Sequence, residues 1–257
     1  MEEKLKAFER LLTIMDELRE KCPWDKKQTM DTLRHLSIEE MYELSDAIIE
    51  GDLEEVKKEL GDLMLHLVFY SKLGSEKGAF DVTDVLNGVC EKLIHRHPHI
   101  YGDVEVKDEE EVKANWEKLK LKEGNKSVLG GVPKSLPSLV KASRIQDKAR
   151  GVGFDWDNVD QVWGKVEEEI AELKVEVDQK TDRIESEFGD VLFSLINYAR
   201  FLDVNPDDAL ERANRKFIKR FQYVEVESAK DGKQMGEMTL AEMDVYWDRA
   251  KVLEKSS

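Results

Sequence analysis

Apolar residues in this chain recur mostly at intervals of three and four. In LKAFERLLTIMDELRE (5–20) and QVWGKVEEEIAELKVEV (161–177) they fall at i, i+3, i+4 and i+7, the period of an amphipathic helix. The alternation expected of strands is nearly absent. GDVEVKD at 102–108 is the best candidate and is too short to found a sheet. The five prolines, Pro23, Pro98, Pro133, Pro137 and Pro206, leave long uninterrupted stretches between them. The pattern therefore predicts an all-α chain.

Two segments depart from simple amphipathicity. DLMLHLVFYSKL (62–73) and DVLFSLINYARFL (190–202) are apolar on almost every side, which places a helix at the centre of its bundle. Between them, EGNKSVLGGVPKSLPSL (123–139) breaks the period and gathers Gly, Ser and Pro. The chain then divides into an N-terminal helical domain (1–122), a linker (123–137) and a C-terminal helical domain (138–257). The halves align: Glu40 with Glu169 and Glu43 with Glu172 at an offset of 129, and Glu59 with Glu187 and Asp62 with Asp190 at 128. KLIHR (92–96) lies against KFIKR (216–220), NWEKLK (115–120) against YWDRAK (246–251), and PWD (23–25) against DWD (155–157). Small drifts in offset mark loop insertions, and an internal duplication explains the set.

Composition narrows the partners. The net charge of −16 excludes a general nucleic-acid or anionic-membrane surface, because such partners are held by Lys and Arg. No apolar run approaches the roughly 18–20 residues of a membrane span. The acidic start MEEKLKAFERLL is unlike a secretory signal, and Cys22 and Cys90 are too few for a disulfide framework. A soluble, cytoplasmic protein is expected. Charged residues at 37%, against a usual figure of about 25%, hint at a high working temperature.

The repeated acids carry the chemistry. Glu39, Glu40 and Glu43 share one helical face, and Glu59 and Asp62 form an i, i+3 pair on the next helix. One turn near Gly51 would make those helices antiparallel and bring the acids together. Converging carboxylates beside an apolar segment are costly unless compensated. A hard divalent cation compensates them: Mg²⁺, with Mn²⁺ as a substitute, takes carboxylate oxygens and leaves positions for substrate phosphates. In so acidic a chain one E-x-x-E alone reads as a solvated face. Its repetition, each time beside the most apolar helix of its half, outweighs that reading. Lys92 with Arg96, and Lys216 with Arg220, are i, i+4 basic pairs suited to an anion of several charges such as a triphosphate.

The order E-E-x-x-E, E-x-G-D and NRKFIKRF (214–221), with CPWDKKQT (22–29) and RHPHIYGD (96–103), resembles the MazG family of nucleoside triphosphate pyrophosphohydrolases across essentially the whole chain. The resemblance implies an all-α NTP pyrophosphatase fold, bundles completed by homodimerisation, and Mg²⁺-dependent hydrolysis of NTP to NMP and pyrophosphate. By position, the catalytic acids fall on Glu168, Glu169, Glu172, Glu187 and Asp190. Of these, Glu169, Glu172, Glu187 and Asp190 are expected to hold the metal. Glu39, Glu40, Glu43, Glu59 and Asp62, with Lys92, Arg96 and Trp116, form a second candidate set. Family-like substrate contacts fall on Lys165, Arg183, Lys216, Arg220 and Trp247. Position 183 is Arg where the family often has Lys, which alters its hydrogen-bonding geometry. A carboxylate, or water activated by the metal, would deliver hydroxide to the α-phosphorus; which acid is the base stays open, as does the preferred nucleoside. Nucleotide-pool house-cleaning or regulation is the implied role.

Three other readings compete. A carboxylate-bridged di-iron bundle needs Glu-x-x-His motifs, and the second half has none; His66 aligns with Ser194. His95, His97 and His99 suggest zinc, but alternating histidines ahead of Pro98 point apart and lack a structural-zinc spacing. A non-hydrolytic nucleotide-sensing module is the non-enzyme alternative. The second half is favoured as the main active site, because Leu36 stands where the second half has Lys165. Dimerisation also has a physical reason, since each half of roughly 120 residues needs more cover for its central helix than a few short helices give.

Overall fold

The computed structural model describes residues 1–108, 111–112, 115–116 and 127–254. Among these the chain is all-α, with ten α-helices and no strand. It forms two compact units, Met1–Glu109 and Glu110–Ser257. The expected domain end at 122, linker residues 123–126 and the tail of NWEKLK (117–120) lie outside the described residues.

In the first unit α1 (Glu2–Lys21), α2 (Met30–Glu50), α3 (Leu53–Glu76) and α4 (Val82–Arg96) follow one another, with the single turn α5 (Pro98–Tyr101) after them. Local chemistry fixes the boundaries. Thr29 and Thr32 form a reciprocal capping box at the start of α2, and Asp81 and Asp84 do the same for α4. Helix α2 ends on Gly51 in the left-handed conformation, φ 75°, where a residue with a Cβ is disfavoured. Asp52 then accepts from the backbone N–H groups of Glu54 and Glu55 at 3.0 and 3.1 Å and starts α3. The chain thus reverses within two residues, as the hairpin expectation required, and α2 packs along α3. Met15, Leu33, Val68, Phe69 and Leu73 form the core of this unit. Arg19 ties α1 to the end of α3 through Glu76 at 2.6 Å and lies over the Phe69 ring at 5.5 Å.

In the second unit the described helices are α6 (Ser138–Arg150), α7 (Val159–Gln179), α8 (Ile184–Phe201), α9 (Pro206–Lys230) and α10 (Leu240–Glu254). The α7–α8 pair repeats the α2–α3 hairpin. It turns at Lys180, φ 53°, at the position matching Gly51 under the offset of 129. Val162, Val166, Val191 and Ile196 are buried on this pair. A second pair, α9 with α10, buries Val224, Tyr246 and Ala250, and Tyr246 donates its hydroxyl hydrogen to Asp231 at 2.7 Å.

Neither apolar helix is wholly enclosed within its own unit. Leu60, Met64 and Leu67 line one exposed stripe of α3, and Phe188, Leu192 and Leu195 line the matching stripe of α8, all between 40% and 58% exposed. The expectation of a central helix is met on the core face alone, because among the described residues no helix of the unit covers the opposite face.

The core of the first unit predicts a stability result. Phe69→Ala should lower unfolding free energy by about 3–5 kcal/mol, whereas Leu53→Ala, at a site 78% exposed, should stay within about 0.5 kcal/mol. Urea titration followed by circular dichroism reads both.

Candidate active site

The helical hairpins bring acids together in both halves. On α2 and α3, Glu40, Glu43 and Glu59 each place a ligand atom within 4.8 Å of the other two; on α7 and α8, Glu169, Glu187 and Asp190 do the same. Each triad is a different three of the four matched acids. Asp62 stays electrostatically close, acting on both Glu40 and Glu59. Glu172 is exposed and acts on Arg183. Glu39 and Glu168 are exposed and outside the triads.

Each triad is anchored by carboxylates deep in the fold. Glu59 is fully buried, and Glu187 and Glu169 are nearly so. Cations hold them from one side. Lys58 donates to Glu59 Oε1 at 2.9 Å and to Glu55 at 2.6 Å. In the second half Lys165 bridges Glu169 at 2.7 Å and Glu168 at 2.8 Å, while Arg183 binds Glu187 and lies 3.5 Å from Glu176. Glu59 Oε2 is buried without a hydrogen-bond partner. An orphaned carboxylate oxygen within a cluster of others is the donor set a hard divalent cation takes, so these residues fit such an ion.

The remaining candidates lie on other elements. Arg220 on α9 pairs with Glu254 on α10 at 2.6 Å and lies 5.7 Å from the centre of the Trp247 ring. Trp247 is half-buried and meets Phe217 with ring centroids 5.1 Å apart. Lys216 is exposed on the same helix. In the first unit Lys92 is exposed on α4 and Arg96 is half-buried at its end. Trp116, expected beside them, is half-buried and belongs to the second unit. The structure thus joins Lys165 and Arg183 to the acids and gathers Arg220 with Trp247 on a separate helix pair.

A family model described as the MazG nucleotide pyrophosphohydrolase domain matches residues 28–101 and 160–224. The chain is 43% identical over 249 residues to a Thermotoga maritima protein named nucleoside triphosphate pyrophosphohydrolase/pyrophosphatase MazG, covering 95% of each chain. The chain belongs to the MazG family. It is also 40% identical to the nucleoside triphosphate pyrophosphohydrolase of Escherichia coli, over 96% of this chain and 98% of that one. A Bacillus subtilis protein, YabN, is 44% identical over the whole of this chain, which spans 54% of it. Each segment of the MazG match holds one complete triad, whereas Trp116 and Trp247 fall outside both.

The two MazG sites differ in charge compensation. Burial raises the Glu40 carboxyl above its ordinary value, and Asp62, Glu43 and Glu59 push it the same way. Its counterpart Glu169 has Lys165 beside it, where the first half has Leu36. Burial lowers the His66 imidazole, against the pull of Asp62.

Several of these contacts escape a reading of the sequence. Lys58 adjoins Glu59, and neighbours on a helix do not face each other, so spacing gives no sign that the long lysine stem curls back. Glu254 meets Arg220 from a helix 34 residues away, and no motif marks it.

The raised Glu40 carboxyl gives a pH prediction for metal-free protein. A group whose pKa rises on folding contributes stability at low pH and loses it as pH climbs through the folded value. Glu40→Gln should therefore raise the melting temperature at neutral pH in EDTA. The gain should vanish below the ordinary glutamate range, about pH 4. A gain that persists unchanged at low pH would refute the charge explanation.

Proposed function

We propose that the chain hydrolyses nucleoside triphosphates to nucleoside monophosphate and pyrophosphate, with Mg²⁺ as its metal and Mn²⁺ able to replace it. The second-half acids are the principal site. The observation that carries this reading is the Glu169, Glu187 and Asp190 triad, whose two buried members are each held on one oxygen by a cation. The names of the Thermotoga and Escherichia relatives support the reaction class.

In the proposed mechanism Glu169, Glu172, Glu187 and Asp190 hold the metal, which when bound neutralises phosphate oxygens and lowers the pKa of water. Lys165 and Arg183 hold one oxygen each of Glu169 and Glu187 and so fix their rotamers. A carboxylate of the acid set accepts the proton of the attacking water. The water oxygen bonds to the α-phosphorus as that phosphorus loses its bond to the oxygen bridging to the β-phosphate. Lys216 and Arg220 hold the departing pyrophosphate, Arg220 exchanging Glu254 for phosphate, and Trp247 offers an aromatic face to the substrate. The first half, with Leu36 in place of a lysine and an uncompensated Glu40, is the weaker catalyst or a nucleotide-sensing copy.

Homodimerisation completes the bundles, because the apolar stripes of α3 and α8 need a covering surface. A cytoplasmic role in clearing or regulating the nucleotide pool accords with the cysteine usage, and no described helix is long and apolar enough to cross a membrane.

Product analysis with each common NTP tests the reaction: Mg²⁺-dependent NMP and pyrophosphate are expected, and NDP with phosphate would overturn it. Asp190→Asn should lower turnover by about 100-fold or more. An equal loss in Asp62→Asn alone would move the active site to the first half. Light scattering should give twice the chain mass, with Leu192→Glu shifting the protein toward monomer; a native monomer would refute the covering role of the stripe.

A further inference from the structure

Lys58, Lys165 and Arg183 each hold a triad acid, and each is shared with a second carboxylate outside the triads. Lys58 reaches Glu59 and Glu55, Lys165 reaches Glu169 and Glu168, and Arg183 reaches Glu187 and Glu176. Burial separates the three outer acids. The side chains of Glu55 and Glu168 are 48% and 55% exposed, so water screens them and they bear little on the lysine they touch. The Glu176 side chain is 14% exposed, beside a Glu187 side chain at 4%. Arg183 is therefore the basic group whose division between two acids carries weight.

Local structure fixes Glu176. It lies on the last turn of α7, which ends on Lys180 in the left-handed conformation. The reversal brings Thr181 back onto that turn, where its backbone N–H donates to the Glu176 carbonyl at 3.2 Å and its hydroxyl donates to Glu176 Oε2. The backbone N–H of Arg183 donates to Thr181 Oγ1 at 3.2 Å. Glu176 Oε1 lies 3.5 Å from Arg183 Nη1. A closed ring thus runs from the Arg183 backbone through Thr181 and Glu176 to the Arg183 guanidinium. The other arm, Nη2, donates to Glu187 Oε1.

We propose that Glu176 is a positioning residue for the metal centre: by holding Nη1 it keeps the Arg183 guanidinium on one oxygen of Glu187 and leaves the other oxygen to the metal. The reason is the planar fork of arginine, which favours two parallel bonds to a single carboxylate. Released from Glu176, Arg183 would bring both arms onto Glu187 and compete with the metal for its second oxygen. The first half has no such ring. Under the offset of 129, Ala47, Asp52 and Glu54 stand at the places of Glu176, Thr181 and Arg183. Ala47 is buried, and Asp52 caps α3. The basic group there is Lys58, a point charge with no fork to restrain.

This inference rests on the proposed role of Glu187 as a metal ligand, and metal binding without nucleotide tests it apart from turnover. The experiment is calorimetric titration of the full chain with Mn²⁺, reading the site that is lost in Asp190→Asn, with circular dichroism and melting temperature checking the fold of each variant. Glu176→Gln keeps the side-chain length and an acceptor for Thr181, and should weaken that site by about tenfold. Thr181→Val leaves the Glu176 charge but removes its tether, and should weaken the site by a smaller factor. In an Arg183→Gln background, Glu176→Gln should have no further effect, because no guanidinium is left to restrain. Native affinity in Glu176→Gln, or in Thr181→Val where Glu176→Gln fails to fold, overturns the inference and leaves the metal site standing. An equal loss with and without Arg183 also overturns it, since Glu176 would then act by its charge alone. If no Mn²⁺ site depends on Asp190, the metal reading itself falls and takes this inference with it.

Discussion

Like charges held close together beneath an apolar helix are the constraint around which each half is organised. Two ionised carboxylates about 5 Å apart repel by about 3–4 kcal/mol even at the effective dielectric of about 20 that suits protein sites. Glu59, Glu169 and Glu187 carry this burden while largely or fully buried. The fold holds them with helical hairpins whose turns are short and tightly specified. The left-handed Gly51 and the Asp52 cap fix where α3 begins relative to α2, and hence where Glu59 stands relative to Glu40 and Glu43. A rigid scaffold is needed because a loose one would relax by splaying the acids apart.

Compensation by neighbouring cations is partial in a functionally useful way. A carboxylate neutralised on both oxygens is a finished structural salt bridge, whereas one held on a single oxygen retains a lone-pair face for a metal. Lys58 on Glu59, Lys165 on Glu169 and Arg183 on Glu187 each take one oxygen. The exposed ends of these basic residues cost little to maintain, and their ion pairs contribute little to global stability on the surface. Their effect is local: each fixes the rotamer of its acid, and Lys58 also holds the Glu59 carboxyl below its ordinary value.

Much of this was legible in the sequence, for reasons that can be located. Helical periodicity and the doubled acids specified an all-α duplication, and the breaker at Gly51 specified the hairpin. Helix geometry then placed Glu40 with Glu43, and Glu187 with Asp190, on common faces. Spacing alone did not reveal which three of each four acids converge, because that depends on the rotation of one helix about its partner. Nor did it show the cap of Lys58 on Glu59, or the Glu254 partner of Arg220, contacts set by side-chain length and by distant packing. The apolar runs 62–73 and 190–202 read as central helices, yet the stripes at Leu60, Met64 and Leu67 and at Phe188, Leu192 and Leu195 are open within their own units. Hydrophobicity records that a face is to be buried without recording what covers it.

The differences between the halves fall where burial and charge are balanced differently. Leu36 replaces Lys165, so Glu40 is left among acids with its carboxyl raised, and His66 occupies the place of Ser194 with its imidazole kept low by burial. Phe69 fills with core what Asn197 leaves as cavity wall. The exchanges at Lys165 and Asn197 make the first copy more apolar around the same hairpin, and the exchange at Ser194 gives it a buried imidazole. A duplicated unit can diverge in this way without changing its backbone, because both copies keep the left-handed turn at Gly51 and Lys180, the capped start at Thr29 and Asn158 and the matched acids, while the side chains around those acids differ.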